Sequence, residues 1–376
     1  MKNIHGGDIY QYESILDFSA NINPFGTPER VKEAIIQSVD SVKHYPDITC
    51  LALREKIAEA EGVSTESVIC GNGAADLIYR LIMVRKPKKA MVLAPGFAEY
   101  EQALQFVGTK IQYYYLNQET FRLDDSFLNE LTEELDMLCI CSPNNPTGQV
   151  IEPELLEEIR KRCQVNEIFL LMDECFNDFL DEPEKHSLVK KLEKDSNIFI
   201  LKAFTKMYGM AGVRLGYGIC GNHKVLDKMY EAGPPWNVST IAQHGGIAAL
   251  METEVPKKTR EYVKKEKQYL YEELEKRGIK YWKTDANYIF FQAVEGLKEA
   301  MIEQGILIRD CSNYKGLEKG YYRIAVKTHE ENEKLIQALR NIYEAGGNTN
   351  GKINYDSGNH VQCGEEFIGR RTLQDF

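Results

Sequence analysis

Short apolar runs alternate with amphipathic stretches through the first two thirds of the chain. SVIC (67–70), AMVLAP (90–95), MLCICSP (137–143), IFLLMDEC (168–175), NIFILKAF (197–204) and VRLGYGIC (213–220) predict strands. Several show no polar alternation, the pattern of a strand buried on both faces. The segments between them, such as EPELLEEIRKRC (152–163), space their apolar residues as a helix does. Together they predict an α/β layer architecture around a mostly parallel, mixed sheet. Beyond residue 250 the pattern changes. A long charged helical stretch (254–278) leads into NYIFFQA, ILIRDC and YYRIAVK and then into the helical run ENEKLIQALRNIYEAG. The expected organisation is a large α/β domain over 41–250 and a smaller α+β domain over 251–345, joined by residues 1–40. From Gly346 to Phe376 the chain is rich in Gly and Asn and loses hydrophobic periodicity, so 346–376 is expected to be a loosely ordered tail.

With 376 residues, 43% hydrophobic and 27% charged, the chain exceeds one small core and has the composition of an ordinary globular protein. Lys and Arg total 46 against 57 Asp and Glu, a net charge of -11. A general electrostatic pull toward nucleic acid or anionic lipid is thereby excluded, and any anionic ligand must be caught by a local cluster. The opening MKNIHGGDIY has no apolar leader and no run approaches a membrane span, so a cytoplasmic protein without membrane or nucleic-acid partners is expected. Nine cysteines without a CxxC pair read as reduced, mostly buried thiols. Cys139 and Cys141, two apart on a strand, share one face and read as packing. His360 and Cys363 in NHVQC lack a second pair, so no metal site is expected.

Four segments fall at the expected C-terminal ends of strands, where an open α/β sheet holds its ligands. GNGAADLIYRL follows SVIC and opens a helix, so the backbone N–H groups around Gly73, Ala74 and Ala75 could hold a phosphate. SPNNPTG follows a strand, MDECF ends one, and FTKMYGMAGVRLGY follows another. Singly, each has a plain structural reading as a turn, a loop, a helix cap or a solvated lysine. Their order and spacing carry more.

In these residues the sequence resembles the fold type I pyridoxal-phosphate enzymes, in the branch of histidinol-phosphate aminotransferases and threonine-phosphate decarboxylases, from the HGG at residue 5 to about Ala345. The resemblance implies pyridoxal phosphate as cofactor, with Lys206 of the TK segment as the catalytic lysine that bonds its aldehyde. Arg214, eight residues on, would pair with its phosphate beside Thr205. Asp173 would face the pyridine nitrogen, Asn145 of NNPTG the 3-oxygen, and Phe97 of PGFAEY would stack on the ring. Tyr45 of HYPD would reach a neighbouring subunit's cofactor phosphate, which implies a homodimer. A carboxylate beside the pyridine nitrogen keeps it protonated and electron-withdrawing, and a lysine among cations is a better nucleophile. Two positions depart from the wider pattern. Phe176 stands where aminotransferases commonly carry Tyr, and Ala203 where a hydroxyl commonly binds the phosphate.

HGGDIY, LDFSANINPFG, PGFAEY, PPWNVS and ILIRDCSNYKGLEKGYYRIAVK look like the decarboxylases more than the aminotransferases. The resemblance then implies decarboxylation of a phosphorylated amino acid in corrinoid biosynthesis. Arg323 would bind the substrate carboxylate through its guanidinium fork. Arg309, His5, Gly6 and Asn21 would complete the substrate site with Asn145. A histidinol-phosphate or aromatic aminotransferase, and a pyridoxal-phosphate-binding regulator without turnover, are the alternatives.

Overall fold

The computed structural model describes residues 5–192 and 195–345. The tail, with His360 and Cys363, lies outside the described residues. Thirteen strands are found among the described residues: β1 (Leu16–Asp17), β2 (Val68–Gly71), β3 (Lys89–Ala94), β4 (Lys110–Tyr115), β5 (Met137–Cys141), β6 (Phe169–Asp173), β7 (Ile198–Ala203), β8 (Gly216–Cys220), β9 (Lys280–Trp282), β10 (Tyr288–Gln292), β11 (Ile306–Leu307), β12 (Arg309–Asp310) and β13 (Tyr321–Ala325).

Seven of them form the main sheet in the order β2-β8-β7-β6-β5-β3-β4. The β3·β4, β3·β5, β5·β6 and β6·β7 pairs are parallel, while β8 runs antiparallel to both β7 and β2. The unalternated apolar runs are explained by helices on both faces. One core gathers Leu138, Ile140, Leu170, Met172 and Ile200 on one side of the sheet, and a second gathers Met137, Cys139, Cys141, Leu171 and Phe199 on the other. Cys139 and Cys141 do share one buried face, in the second core. The eight cysteines of the described residues are free thiols.

A separate antiparallel sheet has the order β12-β13-β10-β9, and β1 pairs in parallel with β11 beside it. Its core joins Phe18 to Val263 and Leu270 of the helix Glu254–Glu275 and to Leu335 and Leu339 of the helix His329–Ala345. The opening segment is shared between the two sheets. β1, paired with β11, lies beside the smaller one, whereas the helix Glu29–Ser38 packs on the helix Thr240–Leu250.

Two features of this fold position a site. β5, β6 and β7 run parallel and in register, so that Cys141, Asp173 and Leu201 end side by side. β12 and β13 face that edge with Arg309 directly opposite Arg323.

Candidate active site

A cavity of about 360 Å³ opens at the C-terminal ends of β5, β6 and β7. It brings together His5, Gly6, Asn21, Ala74, Ala75, Phe97, Asn145, Asp173, Phe176, Thr205, Lys206, Arg214, Arg309 and Arg323, all singled out in the sequence.

Lys206 lies in the short helix Phe204–Met207 that follows β7. Its amine sits 5.7 Å over the Phe176 ring. Burial, then the guanidiniums of Arg323 and Arg214, push it down to about 8 against the opposing pull of Cys175 and Asp173. A far larger share of it is therefore neutral and nucleophilic near physiological pH than of an ordinary lysine, although the charged form still predominates. Asp173 ends β6, only 4% exposed, and accepts hydrogen bonds from the Tyr100 hydroxyl (2.5 Å) and the Cys175 backbone N–H (2.9 Å). Burial raises its carboxyl, with those two donors and Lys206 pulling the other way.

Across the cavity Arg323 donates from Nη1 to Asn145 Oδ1 and from Nη2 to the Ser19 carbonyl at 2.8 Å. Its Nε is buried with no hydrogen-bond partner, as is Oδ1 of Asn21. Tyr314 donates to the same Asn145 oxygen at 3.3 Å, and the Arg309 guanidinium lies 5.1 Å over the Tyr314 ring. At another edge, Gly73 has φ +81 and precedes the helix Ala74–Arg85, and a Cβ there would run into the guanidinium of Arg214. Glycine is required for that backbone and that approach.

Two sequence-derived residues stand apart from the cavity lining. Gly73 borders it through Arg214. Tyr45 is 79% exposed, away from the cavity of its own chain, with its ring stacked on Trp236 at 4.5 Å between centroids. Sequence reasoning passed over Ser19, Glu99, Tyr100 and Tyr314. All four lie inside segments it used, SANIN, PGFAEY and SNYKG, where the neighbouring motif residue drew attention instead.

Comparison with known proteins defines the class. Residues 13–339 match the aminotransferase class I and II family, and the chain belongs to it. It is 40% identical to a provisionally named threonine-phosphate decarboxylase of Caldanaerobacter subterraneus subsp. tengcongensis, over 91% of this chain and 94% of the relative. It is 35% identical to the threonine-phosphate decarboxylase of Salmonella typhimurium, over 90% of this chain and 96% of that protein. Among solved structures, the histidinol-phosphate aminotransferase from Clostridium acetobutylicum superposes with a TM-score of 0.82 at 29% identity, covering 88% of this chain and 100% of that one.

The cofactor of this family is pyridoxal 5'-phosphate, and the residues here fit it. A glycine-lined helix N-terminus beside Arg214 makes a cradle for its phosphate. The buried Asp173, held by the Tyr100 hydroxyl and the Cys175 backbone N–H, suits a protonated ring nitrogen. Lys206 presents a partly neutral amine to the same space. Among the described residues no group of His, Cys, Asp and Glu could hold a metal ion.

Proposed function

We propose that the protein is a pyridoxal-phosphate-dependent decarboxylase of L-threonine O-3-phosphate, releasing carbon dioxide and (R)-1-aminopropan-2-yl phosphate for cobalamin biosynthesis. The observation that carries this reading is the cross-strand pair Arg309 and Arg323, which lie directly opposite on β12 and β13 and both line the cavity. Like charges placed opposite on neighbouring strands are destabilising, so the pair is best explained by a ligand with two anionic groups. Threonine phosphate has two. The relatives named as threonine-phosphate decarboxylases support the same reading over nine tenths of the chain.

In this reading residues 41–250 hold the cofactor, and residues 1–40 with 251–345 hold the substrate. Gly73, Ala74, Ala75, Thr205 and Arg214 bind the cofactor phosphate, Phe97 and Phe176 flank its ring, Asp173 faces its nitrogen and Asn145 its 3-oxygen. When bound, pyridoxal phosphate supplies the electron sink for the bond broken at the substrate α-carbon. Arg323 holds the carboxylate through its fork, the unpaired Nε included. Arg309 and His5 hold the phosphate, and Gly6 allows the terminal segment close approach to Ser19. Anchoring both ends would fix which bond at the α-carbon is presented for cleavage, and orientation decides between losing carbon dioxide and losing a proton. As the C–C bond breaks and carbon dioxide leaves, Lys206 Nζ delivers the proton that takes its place on the α-carbon. Phe176, lacking the hydroxyl that aminotransferases commonly carry there, removes one hydrogen bond to the 3-oxygen. We place the protein in the cytoplasm as a homodimer in which Tyr45 reaches the partner's cofactor phosphate. Among the described residues no helix is long and apolar enough to cross a membrane.

The test is carbon dioxide release from L-threonine O-3-phosphate beside a transamination assay with 2-oxoglutarate. Release in the first without product in the second is expected. Transamination of histidinol phosphate or an aromatic amino acid without carbon dioxide release would overturn the reading, and inactivity in both would point to a cofactor-binding regulator.

A further inference from the structure

Glu99 lines the cavity and has no part in the chemistry described above. It stands in the first turn of the helix Ala98–Phe106, directly after the Phe97 that flanks the ring site. Its Oε1 lies 3.1 Å from Nε2 of His5, and its Oε2 is buried without a hydrogen-bond partner. The charged and titratable groups facing it are His5, Asp173, Lys206, Arg309 and the Tyr79 hydroxyl. Thus an acidic side chain occupies the very corner where Arg309 and His5 would receive the substrate's distal anion.

An ionised carboxylate there would repel that anion. A protonated one would do the reverse, because O–H donation to an anionic oxygen is among the stronger hydrogen bonds. The orphaned Oε2 favours the second arrangement, since a buried carboxylate oxygen with no donor is costly while a hydroxyl in its place needs only an acceptor. Burial pushes this carboxyl up to about 7 and Asp173 acts in the same sense, against Lys206 and Arg309. The proton is therefore available near neutrality, and a bound anion would hold it more firmly.

We propose that Glu99 is a further specificity-determining residue, which as a carboxylic acid donates from Oε2 to the tetrahedral oxyanion held by Arg309 and His5, so that the site binds a proton together with the anion. The inference rests on placing the substrate phosphate at Arg309. A substrate without a distal oxyanion leaves the acid unpaired and is disfavoured on that account. At alkaline pH the residue ionises and turns the oxyanion away.

Sulfate is the probe, a tetrahedral dianion that does not titrate near neutrality, so any proton taken up on binding belongs to the protein. It is titrated calorimetrically into the holoenzyme between pH 6 and 9, in two buffers of different ionisation enthalpy. The expected result is uptake approaching one proton per sulfate at pH 8, with affinity falling about tenfold per pH unit above 7. Glu99→Gln keeps a neutral donor, so uptake should vanish and affinity become nearly flat, whereas His5→Asn should retain the uptake. Uptake that persists in Glu99→Gln, or disappears in His5→Asn, assigns the proton to the histidine and overturns the proposal. Sulfate binding without uptake by the unaltered holoenzyme, or no sulfate binding at all, overturns it without needing a variant. Carbon dioxide release is followed separately. Its absence would defeat the assignment of the reaction, while the sulfate result alone decides Glu99.

Discussion

An amine that attacks an aldehyde must be neutral, and Lys206 reaches that condition at a cost to the fold. Its usual value of 10.5 is pushed down to about 8, by burial first and by Arg323 and Arg214 next. Between these two values the unfolded chain binds more protons than the folded one, so this residue's contribution to stability rises with pH from about 8 to 10.5. Below 8 the charged amine sits in the cavity at its full penalty. Lys206→Met should therefore make the cofactor-free protein more stable at pH 7, by about 1–3 kcal/mol after allowance for the open cavity. The gain should fade toward pH 10.5 in thermal melts taken across that range. The same variant should yield no borohydride-trapped cofactor adduct by mass spectrometry. Asp173 offers a second test. The Tyr100 hydroxyl donates to its carboxylate and so favours the charged form that a cationic ring nitrogen needs. Tyr100→Phe should raise the carboxyl further and weaken cofactor retention about tenfold, the lower range of a hydrogen bond to a charged group, as read by equilibrium dialysis.

At the level of elements, the proposed phosphate cradle is built where a strand turns sharply into a helix. Gly73 adopts φ +81 between β2 and the helix Ala74–Arg85, and the Arg214 guanidinium occupies the space a side chain would need. Gly73→Ala adds about 1–3 kcal/mol of backbone strain, since φ +81 with ψ 163 is a region essentially reserved for glycine, and displaces that guanidinium, so retention of pyridoxal phosphate should fall at least a hundredfold while far-ultraviolet circular dichroism stays unchanged. A normal affinity in the folded variant would remove Arg214 and this turn from the cradle. This turn was legible in the sequence because glycine spacing after an apolar run has few other uses. The central strands β5, β6 and β7 were legible for a related reason, since helices on both faces leave them uniformly apolar. β4 escaped notice. It forms the sheet's edge, and KIQYYY, opening on Lys and partly exposed along its length, has none of that uniformity. β1 and β12 span two residues each, too short for any periodicity, and are defined only by the partners they meet. The site followed the same rule. Residues in dense local motifs could be read directly, whereas Glu99 and Tyr314 gain meaning only where β12 and the helix Ala98–Phe106 converge on one cavity.

For the molecule as a whole, the remaining feature is a run of exposed apolar side chains along residues 36–51. Ile36, Val39, Val42, Tyr45, Ile48 and Leu51 recur at every third position and are all about half exposed or more, and Trp236 stacks against Tyr45 beside them. Exposed large apolar side chains at this density in one segment mark a protein contact more often than free surface. A second copy of the chain is the partner that the Tyr45 reading requires, because Tyr45 lies outside its own cavity and would serve the partner's. Tyr45→Ala should then weaken cofactor hold and activity in the other protomer's site, and Lys206→Ala should abolish activity in its own. Mixing the two inactive or impaired proteins under conditions that exchange subunits separates this from any arrangement with independent sites. In the hybrid, one site combines an intact Lys206 with the intact Tyr45 of its neighbour, while the other site carries both lesions. Since random exchange places half the dimers in hybrids, carbon dioxide release should recover to roughly a quarter of the unaltered level per total site. Sites confined to single chains would give only the average of the two parents. Sedimentation on the same mixture should show a dimer, and a fully active monomer would dismiss the shared site altogether.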